Sequence, residues 1–233
     1  MEKAALFWSG GKDCAFALHT VIKEKKYQVE TLVTTLNRQF RRISMHGVRE
    51  EMLDKQAEAL QIPILKMWVG DIPTNENYEI ELIKTYKQLK SQGIDVIIFG
   101  DIFLQDLRLY REKLLSEAGL KGYFPLWKRD TGELIKDILA HGFRTVTCCI
   151  NTAYLDKSWE GRELNKTFID GLPPGVDPCG ENGEFHTFCF DGPIFNQPIK
   201  FKKGKEKYSP LVIKDVITER ETGFWFVDIL EDE

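Results

Sequence analysis

The chain is poor in cysteine, has no long apolar run and carries no surplus of positive charge, and each lack removes a class of protein. Five cysteines in 233 residues, at positions 14, 148, 149, 179 and 189, are odd in number and show no C-x-x-C spacing. Neither a disulfide framework nor a zinc knuckle is indicated, and reduced thiols in a cytosolic protein fit better. No stretch approaches the roughly 20 apolar residues of a membrane span, and no leader-like apolar segment opens the chain. The expected compartment is the cytoplasm, with no membrane partner. A net charge of −4 argues against a nucleic-acid surface as the main function, so no DNA partner is expected. Local basic runs at 38–42 and 200–207 remain, and the second reads as a solvated hairpin. Internal repeats and low-complexity segments are absent. So are the phosphate motifs G-x-x-x-x-G-K-[ST] and G-x-G-x-x-G. What remains, 42% hydrophobic and 29% charged, suits one large globular domain, or one core with an extension.

The most informative stretch is the apolar run Ala4-Ala5-Leu6-Phe7-Trp8 breaking into Ser9-Gly10-Gly11-Lys12-Asp13. A buried-strand pattern stops at two glycines, and a helical pattern begins with Cys14, Leu18, Val21 and Ile22 on one face. Adjacent glycines let successive N–H groups converge on an anion, and the following helix adds its positive end. Lys12 brings a full charge to the same point. This cradle resembles the PP-loop of ATP pyrophosphatases, which cleave ATP between its α and β phosphates. An ordinary Gly-Gly turn with an exposed Lys and an Asp N-cap is the plainer reading. Placement at the first strand–helix junction favours the cradle, because open α/β sheets bind ligands at the carboxyl ends of their strands.

Strands and helices then alternate. Strands are expected over 31–36, 64–69, 96–99 and 145–150. Helices are expected from Val48 to Leu60, over 76–92 with Ile80, Leu82, Ile83, Tyr86 and Leu89, over 108–118 and over 131–140. The order predicts an α/β fold: a parallel sheet with helices on both faces. After about residue 151 the character changes. A helix near 159–169 gives way to Gly171-Leu172-Pro173-Pro174-Gly175, and strand-like segments follow at 184–190, 199–201, 211–217 and 224–229. Two parts are expected, a nucleotide-binding domain over 1–151 and a smaller C-terminal β-containing region over 152–233.

A second cluster, Asp177-Pro178-Cys179-Gly180-Glu181-Asn182-Gly183-Glu184-Phe185-His186-Thr187, packs three carboxylates, an Asn, a Cys and a His into eleven residues. Asn182-Gly183 signals a tight turn. In a strand over 184–190, the period of two puts Glu184 and His186 on one face with Phe188 and Phe190. A carboxylate beside an imidazole suits metal binding, proton transfer or orientation of an amine nucleophile. A polar turn leading into an edge strand would account for an isolated His. The density of ionisable groups favours function.

Taken in order, the loop at 9–13, Gly100-Asp101 with Arg108 behind it, Pro125-Leu126-Trp127, and the 177–187 block followed by Asp191-Gly192-Pro193 resemble the diphthine–ammonia ligase family over nearly the whole chain. The resemblance implies a HUP-type α/β nucleotide domain plus a family-specific C-terminal region. It implies amidation of a carboxylate with ATP and ammonium, releasing AMP and pyrophosphate, with diphthine on a translation elongation factor as acceptor. ATP and Mg²⁺ are the implied cofactors. Ser9, Gly10, Gly11, Lys12, Asp13, Cys14, Gly100 and Asp101 would bind nucleotide, with Asp13 and Asp101 as the Mg²⁺ candidates. Lys12, Glu181, Glu184 and His186 would be catalytic, and Arg108, Asp177 and Asn182 would bind acceptor. Arg111 is an alternative clamp to Arg108. The family's loop usually ends in Ser where this chain has Cys14. Monomer and homo-oligomer are both compatible with the sequence. Two rival readings share the scaffold. An RNA thiolation enzyme would use Cys148-Cys149, although adjacent strand residues point to opposite faces and read as core. A non-catalytic nucleotide-binding module would not need the 177–187 cluster.

Overall fold

Alternation in the first strand sets the layering. The computed structural model describes residues 1–70, 75–211 and 222–232. In β1 (Glu2–Phe7) and just beyond it, Ala4, Leu6 and Trp8 belong to one core while Ala5 belongs to another, as a period of two requires. The first core takes in α1 (Lys12–Glu24), α2 (Glu50–Leu60) and α5 (Thr131–Ala140). The second takes in α3 (Asn75–Ser91) and α4 (Gln105–Glu117). Helices therefore cover both faces of the sheet. Ile22 and Ile80, expected on buried helix faces, are exposed instead.

Between these helices lie β2 (Tyr27–Asn37), β3 (Arg42–Ile43), β4 (Ile64–Val69), β5 (Val96–Ile98) and β6 (Lys121–Tyr123). The parallel pairings run β4-β2-β1-β5-β6, while β3 pairs antiparallel with Leu36 and Asn37 at the end of β2. Chain order reverses between β1 and β5. Ligands of open α/β sheets bind at this kind of switch point, outside the carboxyl ends of the strands. The loop at 9–13 follows β1, and Gly100-Asp101 follows β5.

After α5 (Thr131–Ala140) comes β7 (Arg144–Asn151), and here the chain departs from expectation. The strand forms, but it leaves the parallel sheet and joins a second, antiparallel one with β8 (Phe185–Asp191), β9 (Phe201–Pro210) and β10 (Gly223–Glu231), in the order β8-β7-β10-β9. The helix expected near 159–169 is also not continuous. Lys157–Trp159 makes a single 3-10 turn and α6 spans only Lys166–Asp170. Between them Gly161 takes φ +66°, and the 161–164 segment runs alongside β7, with Thr147 N–H donating to Arg162 O at 2.9 Å. Pairing with a strand outcompetes helix propensity. The basic run at 200–207 lies on β9, hairpinned to β10, with Lys202, Lys203, Lys205 and Lys207 exposed. The strand expected over 211–217 lies, from 212 onward, outside the described residues. Sheet two shares the first core, through Val146, Cys148, Phe188 and Val227.

Candidate active site

A cleft of about 580 Å³ opens where the loop at 9–13, the end of β2, the turn after β3, the start of α4 and the 181–187 segment meet. Gly10 takes φ +78°, and a Cβ there would sit 2.8 Å from Gln56 Oε1. Glycine alone meets both demands. Gly100 carries a different constraint. A Cβ on it would lie 2.9 Å from the backbone of Asp13 and Cys14, so its smallness lets β5 close against the head of α1.

Lys12, which the plainer Gly-Gly-turn reading would leave exposed, is 2% exposed. Its ammonium donates to Asp13 Oδ2 at 2.9 Å and to the Cys179 carbonyl oxygen, and lies 5.4 Å from the centre of the Phe185 ring. Burial works against the charge, but Asp13 and Glu181 outweigh it and raise the Lys12 pKa. Burial likewise pushes Asp13 up, with Lys12 pulling the other way. Asp13 Oδ1 is buried and has no hydrogen-bond partner among the described residues.

The outer edge of β8 lies directly on the loop. Lys12 N–H donates to Thr187 Oγ1 at 3.1 Å, and Cys189 N–H donates to Gly10 O at 2.8 Å. Gln56, fully buried on α2, accepts from Trp8 Nε1 and donates to Gly10 O and Cys189 O at 2.9 and 2.7 Å. Cys14 Sγ donates back to Gly11 O at 3.1 Å.

Glu181 spans the cleft from the C-terminal side. Its Oε1 accepts from Ile102 N at 2.8 Å, fixing the approach to α4. Burial pushes its pKa up to about 7 against the pull of that N–H, and Asp13 and Asp101 add to the rise. Asp101 pairs with Arg111, Nε to Oδ2 at 2.8 Å, an ionic contact without a formed hydrogen bond between those two atoms. Burial raises Asp101 and Arg111 opposes the rise. His186 lines the same cleft, its ring 4.5 Å from that of His46. Burial holds both imidazoles down, His46 to about 4.

The structure thus brings Ser9, Lys12, Asp13, Cys14, Gly100, Asp101, Glu181 and His186 together. Glu184, Asp177, Asn182 and Arg108, also singled out in the sequence, stand apart from the cleft lining. Glu184, 0% exposed, accepts from Asp177 N–H at 3.0 Å and Asn182 Nδ2 at 3.1 Å, while Asp177 Oδ1 accepts from the N–H groups of Cys179 and Glu181. These three residues knit the turn that presents Glu181 and the Cys179 carbonyl. Arg108 stacks between Phe124 and Trp127, 4.6 Å from each ring, and pairs with Glu112; Arg111 is the arginine in the cleft. Sequence reasoning passed over His46 and Gln56, and named Thr187 only as the last residue of the 177–187 cluster. Gln56 alone left a trace, as a polar residue among the apolar positions of α2.

Fold and cleft together define a two-sheet α/β protein whose glycine–lysine loop, at the switch point of one sheet, is closed over by the edge strand of another. Residues 1–122 match the family model described as diphthamide synthase N-terminal domain, and residues 130–217 match diphthamide synthase C-terminal domain. The chain belongs to the diphthamide synthase family. It is 25% identical to the mouse protein named diphthine–ammonia ligase, covering 85% of this chain and 82% of that one. The fission yeast (Schizosaccharomyces pombe) protein of the same name is 22% identical, over 82% of this chain and 34% of its own length. The human one is 24% identical, over 65% of this chain and 62% of its own length.

Proposed function

We propose that the protein is an ATP-dependent, AMP-forming ligase that joins ammonia to a carboxylate, with diphthine on a translation elongation factor as acceptor and the cytoplasm as its compartment. The observation that carries this reading is the seat of Lys12: a buried cation beside a two-glycine loop, in one cleft with Glu181 and His186. Carboxylates resist ammonia because oxide is a poor leaving group. In the first step an acceptor carboxylate oxygen bonds to the α-phosphorus and the bond to the bridging oxygen breaks, releasing pyrophosphate. Lys12 and the loop amides stabilise the departing charge in a site already arranged for it. In the second, ammonia bonds to the carbonyl carbon, the bond to AMP oxygen breaks, and one N–H proton passes to His186 Nε2, which is buried and unpartnered. Val33, Ile43 and Val69 offer an apolar wall for a base.

The donor set fits Mg²⁺ bound in part through phosphate. No group of three or more His, Cys, Asp or Glu side chains able to hold a metal occurs among the described residues, yet Asp13 keeps one buried oxygen free. Asp13 and Asp101 would hold the ion, as Mg²⁺ is usually held by one or two carboxylates plus substrate phosphates. When bound, it would neutralise charge on the phosphate oxygens.

The thiolation reading loses its nucleophiles: Cys148 and Cys149 are 0% exposed, and burial pushes both thiols far up. A passive nucleotide binder remains to be separated by products. Lys12→Ala should cut ammonium- and acceptor-dependent AMP formation at least 100-fold with an unchanged circular-dichroism spectrum. Normal turnover in that variant, or ADP as the product of the unaltered protein, overturns the reading.

A further inference from the structure

The mechanism above uses one imidazole, but the cleft holds two. His46 sits in the turn after β3, and that turn has an unusual backbone. Met45 takes φ +66°, and His46 N–H donates to Ser44 O at 2.8 Å. A three-residue turn with positive φ at its centre is rare and strained, and such strain persists only where the surroundings enforce it. Here they do. Gly47 N–H donates to Ile43 O at 3.0 Å, Arg42 Nη1 donates to Gly47 O at 2.8 Å, and Phe226 packs so closely that a Cβ on Gly47 would lie 2.7 Å from its ring. The effect is to turn His46 into the cleft.

His46 Nδ1 lies 3.3 Å from Thr187 O. A carbonyl oxygen only accepts, so Nδ1 carries the proton and Nε2 is left with its lone pair. Thr187 O is the partner of the His46 ring through Nδ1, and the buried Nε2 of His186 has no hydrogen-bond partner among the described residues. The two rings lie 4.5 Å apart at 32°. Two tilted imidazoles this close suit a small molecule with several N–H groups, about 3 Å from each acceptor.

We propose that His46 and His186 together form the binding site for the nitrogen nucleophile, each Nε2 accepting one N–H bond from a single ammonia molecule. This rests on the ligase reading and makes His46 a further substrate-binding residue. Charge selects the neutral form. Lys12, fully buried nearby, repels a cation, and the same burial and Lys12 charge that hold the imidazoles neutral favour ammonia over ammonium. Ammonia held through its N–H groups keeps its lone pair free to attack.

Two measurements test the site. His46→Asn keeps a donor at the Nδ1 position and deletes the Nε2 acceptor, whereas His46→Gln restores an acceptor there. His46→Asn should raise the ammonium concentration for half-maximal turnover at least tenfold while that for ATP shifts less than twofold, and His46→Gln should recover part of the loss. Equal effects on both substrates, or on neither, overturn the proposal. The second measurement needs no turnover. Imidazole nitrogen NMR at alkaline pH should show the His46 and His186 Nε2 signals moving saturably with ammonium chloride, and not with tetramethylammonium chloride, which has no N–H. Identical responses to the two salts, or none, count against the site. If the unaltered protein makes no ammonium-dependent AMP while these shifts appear, the ligase reading fails and the ammonia site stands.

Discussion

Individual side chains in this cleft differ in whether they carry charge or shape the backbone. Glu181 does both. Its carboxyl titrates at about 7, raised mainly by burial, so it gains its charge as pH rises through neutrality. A carboxylate there can take a proton from ammonium entering the cleft and leave neutral ammonia; the protonated form cannot. Followed at constant free ammonia, the pH profile of kcat/KM should therefore rise through about pH 7, and Glu181→Gln should flatten that limb and leave alkaline activity roughly 100-fold down. A limb unchanged in the variant would assign the titration elsewhere. Residue-level legibility was uneven for a physical reason. The loop residues announce themselves because glycine, lysine and a strand–helix junction are local signals. Arg108 and Arg111, three apart on α4, are neighbours on one helical surface, and only the distant Phe124 and Trp127 decide which is drawn out of the cleft. His46 lies in a turn with no periodicity to read.

At the level of elements, the decisive object is the seam where β8 meets the glycine loop. An open strand edge is normally a liability; here Thr187 and Cys189 spend it on the backbone of Gly10 and Lys12. Gln56 is the rivet. Gln56→Leu keeps similar bulk but strands the indole N–H of Trp8 and the Cys189 carbonyl oxygen, while Gly10 O keeps only its bond from Cys189 N–H, so unfolding in urea should show a loss of about 3 kcal/mol. A loss below about 1 kcal/mol would mean water replaces the amide. The seam also shows why β7 was placed in the wrong sheet. A run buried on both faces, Thr145 to Ile150, looks the same whether its neighbours run parallel or antiparallel. Its partners, β8 and β10, lie tens of residues downstream. The α/β layering, by contrast, followed from alternation and helical spacing within each element.

The molecule as a whole is held shut by Asp228. From β10 it accepts hydrogen bonds from Arg42 at 2.7 Å and from Arg49 at 2.9 and 2.7 Å, tying the second sheet to the β3–α2 junction of the first. Burial opposes ionisation, but the two arginines prevail and hold the carboxyl down to about 2. The ordinary value is about 3.9, so the stabilisation is present in full above about pH 4 and fades as pH falls toward 2. Asp228→Asn should cost about 1–2 kcal/mol at neutral pH, allowing for screening of a partly exposed group. The gap between variant and parent should close as unfolding is followed down to about pH 2. A gap independent of pH would mean that packing, not charge, is lost. Because Arg42 also holds Gly47, the same variant should loosen the turn that presents His46.

The pairing of Lys12 with Cys179 and Thr187 spans 167 and 175 residues, and on a ribosome that separation is a delay. At roughly 5–20 residues per second, Lys12 waits on the order of ten to thirty seconds for the carbonyl that receives it. Apart from β1, which precedes Lys12, the strands and helices of the first sheet are all synthesised in that interval. The seat of the cation therefore matures late, assembled by a late-made strand on an early-made loop, and its completion reports that the chain has been made at least through β8.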